Sequence, residues 1–270
     1  MERRKFLKYL QAGSISTAAL PFASNDLFAY PINRDNLDEK IEKKPLITSD
    51  IYLPSAQYEI LKSVKTKLKL IQRHVGYGNF NIIGFDSAVS IARWGKGIMR
   101  FTKDELNFME SIYYYDPSIH GFYGQRTSHN LTELISKKEV VKIPRTGHYL
   151  FKGKTVETYT HMKKDIGNTI VLTSGVRSIV KQMKLYIDKI DKTKGNLSKA
   201  SKSLAPPAFS YHTIGDFDIG KKGFGYSNFT SRFALTNEFL RMRKLKYIDM
   251  RYTINNKDGV RYEPWHIKTI

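Results

Sequence analysis

Apolar positions recur at helical spacing in four stretches of the chain. Within residues 56–74, Ile60, Leu61, Val64, Leu68 and Ile71 fall on one side of a 3.6-residue period, which predicts a helix. The stretch "FTKDELNFMESIYYY" places Thr102 ahead of Asp104 and Glu105, acidic residues that favour a helix N-terminus, and continues with Leu106, Met109 and Ile112 or Tyr113 as an apolar stripe. A third helix is predicted over "SIVKQMKLYIDKI", where Ile179, Met183, Tyr186 and Ile190 share a face, and a fourth over "TSRFALTNEFLRMRKL". Between the first two helices, "GYGNFNIIGFDSAVSIARWGKG" is broken by glycines and reads as loop or short elements.

After about residue 141 the pattern changes to short β-branched runs bounded by Pro, Gly and Asn, in "VVKIPRTGHYLF" and "NTIVLTSGVRS", which predicts strands. "GNLSKASKSLAPPA" is polar and ends in Pro206 and Pro207, so an exposed loop is expected there. "RYTINNKDGVRYEPWHIKTI" reads as two strands around a turn from Asn255 to Gly259. No internal repeat is present.

A chain of 270 residues suffices for one large domain or two small ones. Its 41% hydrophobic and 13% aromatic content excludes collagen-like repetition and wholesale disorder. Lys and Arg number 45 against 25 Asp and Glu, a formal charge of +20 that implies attraction to nucleic acid, an acidic membrane surface or an anionic cell wall. The absence of cysteine removes disulfides, thiolate metal sites and thiol nucleophiles, so a metal must be held by His, Asp or Glu.

The first 23 residues combine Arg3, Arg4, Lys5 and Lys8 with a weakly apolar run from Leu10 to Phe22 and small residues near Ala23, the three-part pattern of an export signal. "RRKFLK" resembles the twin-arginine export motif. The expected location is periplasmic or otherwise extracytoplasmic, with residues 24–48 as a polar linker and no stable membrane anchor after cleavage, because no segment approaches the roughly 20 apolar residues of a bilayer span. An exported chain argues against nucleic acid as the partner.

The chemistry concentrates near the C-terminus. "FSYHTIGDFDIG" holds His212, Asp216 and Asp218, and "YEPWHIK" holds His266 with Glu263 three residues ahead of it. Two imidazoles and a carboxylate can ligate zinc and leave a position for water, and a nearby glutamate that does not bind the metal can act as a general base. In an extended segment Asp216 and Asp218 point to the same face, so both are possible ligands.

These segments resemble the zinc DD-peptidases that include the VanY and VanX carboxypeptidases, whose pattern is Ser-x-His-x-x-Gly-x-Ala-x-Asp followed by Glu-x-x-His, commonly Glu-Pro-Trp-His. Ser210, His212, Gly215 and Asp218 match the first element, and Glu263, Trp265 and His266 the second. "LTSGVRSIVKQ" is similar to the family's Ser-Gly-Tyr-Arg-Ser block and supplies Ser174, Gly175, Arg177, Ser178 and Gln182, with Val176 in place of the tyrosine. Asp218 lies six positions after His212, one fewer than in the family. It is preferred as the ligand because "DIG" reproduces the family's aspartate together with its next residues; Asp216 then orients a ligand or binds substrate.

The resemblance implies an α+β fold, a small antiparallel sheet with flanking helices carrying the zinc site (Hedgehog/DD-peptidase-like), in a catalytic domain over residues 142–270. A mainly helical region of unknown role, 49–141, precedes it. It implies one Zn2+ per chain on His212, Asp218 and His266; Glu263 as general base for a metal-bound water; Arg177 stabilising the oxyanion; and Ser210, Arg177, Gln182 and Trp265 contacting substrate. The implied activity is removal of the terminal D-alanine from peptidoglycan stem peptides. A peptidoglycan endopeptidase, an L,D-carboxypeptidase of the same chemistry, and a wall-binding protein without catalysis are the alternatives. His148 and His161 read as surface or strand histidines, and His74, His120 and His129 carry no recognisable metal spacing.

Overall fold

The computed structural model describes residues 49–269; the predicted export segment and linker lie outside the described residues. The first predicted helix forms as α1, Ser55–Val75, with Leu61, Val64, Leu68 and Ile71 buried along one side. Helix α2, Phe85–Trp94, stands where loop or short elements were expected. Gly84 and Gly95 bracket this helix as its caps rather than interrupt it, and Phe85, Ala88, Val89 and Ala92 repeat at helical spacing into the core. Helix α3, Lys103–Tyr114, begins with the Thr102 cap: the Thr102 hydroxyl accepts from the Glu105 amide and Glu105 accepts from the Thr102 amide.

Strands β1, Val140–Lys142, and β2, Tyr149–Phe151, form a hairpin. They lead into α4, Lys154–Ile166, and β3, Ile170–Ser174. Helix α5, Ile179–Lys192, follows the predicted face, with Ile179, Met183, Tyr186 and Ile190 buried. The expected exposed loop is instead a short helix α6, Leu197–Ser201, capped by Asn196. Its small polar side chains are buried as partners: Ser198 accepts from the Ile51 amide and Ser201 pairs with the Tyr186 hydroxyl.

Strand β4 is Phe217–Lys221. The predicted fourth helix is divided at Thr236, whose side chain caps α7, Asn237–Met242, after a 3-10 segment at Ser231–Leu235. At the C-terminus only one of the two expected strands forms as placed, β6, His266–Lys268; its hairpin partner is β5, Asp249–Met250, and the intervening residues are loop. The main sheet is antiparallel in the order β3-β4-β6-β5.

Two apolar clusters cover this sheet and the helices. One joins α4 and α7 to the sheet through Met162, Ile170, Phe217, Ile219, Phe239, Met242 and Ile267. The other joins α1, α2 and α3 to α5 and continues to Phe209, Tyr211, Tyr252 and Val260. The N-terminal helices therefore share a core with segments that border the site. At roughly 1.5–3 kcal/mol per fully buried large apolar side chain, this shared core holds those segments firmly. The fold is thus α+β, a small antiparallel sheet with flanking helices preceded by a helical region. Among the described residues no helix is long and apolar enough to cross a membrane.

Candidate metal and catalytic site

Strand register assembles the site. Ser174 pairs with Asp218 across β3 and β4, and Asp218 pairs with His266 across β4 and β6, so three polar side chains line up across one face of the sheet. His212 joins them from a 3-10 turn, Tyr211–Thr213, and the chain passes from that turn to β4 through Gly215, whose φ of 147° few other residues adopt. One His212, one Asp218 and one His266 ligand atom all lie within 4.8 Å of one another, and all three residues are buried. Asp216 does not belong to this group.

The hydrogen bonds fix which nitrogen of each imidazole faces the centre. His212 Nδ1 lies 2.8 Å from the Gly175 carbonyl, an acceptor only, so Nδ1 carries the proton and Nε2 is left with its lone pair. His266 is arranged the other way round: Nε2 donates to Asp216 Oδ2 at 3.0 Å, and Nδ1 faces Asp218 Oδ1 at 3.2 Å. Asp216 is itself held by Arg251, with Nε 2.6 Å from Oδ2 and Nη2 3.2 Å from Oδ1, and by the Thr269 amide at 3.0 Å. Its place is behind His266.

This donor set suits a divalent cation. His212 Nε2 and Asp218 Oδ1 are buried and lack a hydrogen bond, although Asp218 approaches both imidazoles within 3.3 Å. Two imidazole nitrogens and one carboxylate are ligands zinc accepts in a site that retains an open position.

The electrostatics of the surrounding groups follow from burial and close charges. Burial and the nearby Arg177 push His212 down to about 4. For His266 burial acts in the same direction, but its contacts with Asp216 and Asp218 prevail and raise it to about 9. Burial works against the Asp218 charge too, yet His212 and Arg177 hold its carboxyl well below the usual range. Glu263, with Oε2 3.9 Å from His266 Nδ1, is pushed up to about 7 by burial, reinforced by Asp218.

Arg177 Nη2 donates to Asp218 Oδ2 at 2.6 Å, Nε to Ser174 at 2.9 Å and Nη1 to Gln182 at 3.4 Å. Gln182 is locked in turn by donating to the Ala205 carbonyl. A cleft of about 200 Å3 opens onto the group, and its walls include Arg177, Gln182, Ser210, Glu263 and Trp265 as well as His212, Asp218 and His266. The turn that carries Ser210 is braced by the N-terminal region: Thr127 donates from its hydroxyl to the Ser210 carbonyl and from its amide to Ala208.

Arg251 and Tyr252 emerge only from the structure. The Tyr252 ring sits 4.7 Å from that of His266 and lines the cleft. The strand expected over these residues concealed them, and their spacing to the two motifs carries no signal. His148 and His161 lie outside the cation group, His161 against Tyr247; His120 is buried beside Tyr115, away from the cleft lining.

Residues 152–269 match the model of the family described as VanY: D-alanyl-D-alanine carboxypeptidase. No curated protein matches the chain. Among solved structures it is similar to a variant of the vancomycin-resistance D,D-pentapeptidase VanY from a VanB-type cassette in complex with Zn(II), at 22% identity over 48% of this chain and 78% of that one, with a TM-score of 0.37. It is also similar to VanYB in complex with D-alanine-D-alanine, at 22% identity over 49% of this chain and 77% of that one, with a TM-score of 0.38. The matched segment contains the buried His–Asp–His group.

Proposed function

We propose that this chain, whose residues 152–269 match the model of the VanY carboxypeptidase family, is an exported zinc-dependent carboxypeptidase that removes the terminal D-alanine from peptidoglycan stem peptides. The observation that carries the reading is the convergence of His212, Asp218 and His266 within 4.8 Å at the base of a cleft whose wall includes Glu263. His212 Nε2, an Asp218 oxygen and His266 Nδ1 would hold one zinc ion per chain. When bound, zinc supplies Lewis acidity, activating water near neutral pH and polarising a carbonyl.

The remaining steps belong to the side chains. Glu263, raised to about 7, takes a proton from the attacking water and returns it to the leaving amine, a task suited to a group that titrates near neutrality. Arg177, fixed by Ser174, Gln182 and Asp218, presents a preorganised cation to the oxyanion without rearranging as charge develops. Ser210 and Gln182 meet the terminal residue of the peptide, and Trp265 walls the cleft beside Glu263.

Export rests on residues 1–23, and a net charge of +17 after their removal, four basic and one acidic residue fewer, favours an anionic wall. Division of the chain into a helical region at 49–141 and a catalytic domain at 142–270 is part of the same proposal. Synthetic muropeptides of defined length, digested and analysed by mass spectrometry, test the activity. The expected product is a tetrapeptide with one D-alanine released from each pentapeptide; cleavage confined to crosslinked dimers contradicts it and supports an endopeptidase.

A further inference from the structure

We propose that Lys189 and Arg261 form an anion subsite at the cleft, selecting peptides that carry a second carboxylate about three residues from the terminal one. The inference rests on the peptidase reading and deepens it by naming the substrate class. Both residues line the same cleft as Gln182 and Glu263. Lys189 follows Gln182 by seven positions on α5, two turns further along the same face and about 10 Å away at 1.5 Å per residue. An extended peptide covers about 3.4 Å per residue, so roughly three residues separate a group held by Gln182 from one held by Lys189.

The local charges leave this pair without enough negative partners. The two carboxylates of α5 are engaged elsewhere: Asp188 with Lys184, and Asp191 with Lys65 and Tyr58. Arg261 reaches Glu263 at 3.6 Å, donates to the Phe229 carbonyl and lies over the Trp265 ring, while its side chain stays 43% exposed. Lys189 makes no ion pair among the described residues; burial together with Arg261 and Lys192 holds its ammonium below the ordinary range, against the opposing influence of Glu263, the carboxylate that Arg261 also reaches. Two cations lining one cleft repel each other, and an anion bound beside them relieves that repulsion, which a neutral side chain cannot do.

The test uses the zinc-loaded chain and pairs of D-alanyl-D-alanine peptides that differ only in glutamate or glutamine, scanned two, three and four residues before the terminal one. At the preferred position the glutamate peptide is expected to have about three- to tenfold higher kcat/KM, chiefly through KM. Lys189→Gln and Arg261→Gln bring that ratio near one, Lys189→Arg preserves it, and Lys246→Gln, an exposed lysine outside the cleft, leaves it in place. A ratio below twofold at every position, or one unchanged in Lys189→Gln, overturns the subsite. A protein that hydrolyses neither peptide contradicts the peptidase reading instead. Calorimetry on the same pair then decides the subsite: equal affinities overturn it, and a Lys189-dependent preference for glutamate supports it.

Discussion

Replacing Asp216 by asparagine isolates what a carboxylate behind a proposed metal ligand contributes. Asp216 is 1% exposed and accepts four hydrogen bonds, two from Arg251, one from His266 and one from the Thr269 amide. An asparagine keeps the shape but offers one acceptor oxygen and one donating amide. If the oxygen serves Thr269, the amide faces Arg251 Nε and His266 Nε2, donor against donor. The Arg251 side chain, 13% exposed, cannot fully recover its hydration, so breaking this buried pair costs about 3 kcal/mol, at the lower end of the usual range. The imidazole loses the partner that fixes its tautomer, for which zinc affinity falls about 10- to 100-fold. Urea unfolding with a chelator present measures the first quantity, and competition with a colorimetric zinc chelator the second. Wild-type stability within about 0.5 kcal/mol together with wild-type zinc affinity would refute the assignment of Asp216 as the support of His266.

Two further outcomes depend on other parts of the chain. A Cβ at Gly175 would lie 2.0 Å from the Tyr149 carbonyl oxygen, so Gly175→Ala should displace the carbonyl that orients His212, costing about 1–3 kcal/mol in thermal unfolding and weakening zinc binding; wild-type values for both would contradict this packing. Burial opposes the Glu105 charge, but Lys67, Ser63 and Thr102 bond to it and keep its carboxyl below 4.5. A depressed folded value means that the stabilisation is present above about pH 4.5 and is lost as pH falls through the lowered value, so melting curves from pH 7 to 3 should decline more steeply for the wild type than for Glu105→Gln. Equal slopes would remove Glu105 from the acid response.

The parts of this site that could be read from sequence are those where chemistry restricts residue type. His212, Asp218, Glu263 and His266 sit in short segments of local geometry, and the structure places them around one cleft. What sequence could not show depends on partners distant along the chain. Glycines at 84 and 95 looked like breaks because capping and breaking use the same residue, and only the burial of Phe85 and Val89 distinguishes them. Ser198 and Ser201 looked solvent-facing because a serine becomes a core residue only when a partner such as the Ile51 amide or the Tyr186 hydroxyl meets it. Arg251 reaches Asp216, 35 positions earlier, through β5 pairing with β6, and no local pattern encodes that contact.

In the proposed reaction Glu263 moves the proton in a hydrolysis that depends on metal held by His212, Asp218 and His266. Glu263→Gln preserves the side-chain volume and leaves those three residues untouched. Zinc content by elemental analysis and D-alanine release from a pentapeptide, measured on the same preparation, test it together. One zinc per chain is expected in the variant, with hydrolysis reduced by about 100- to 10,000-fold, the scale of a lost general base. Retained hydrolysis in the zinc-loaded variant would contradict it.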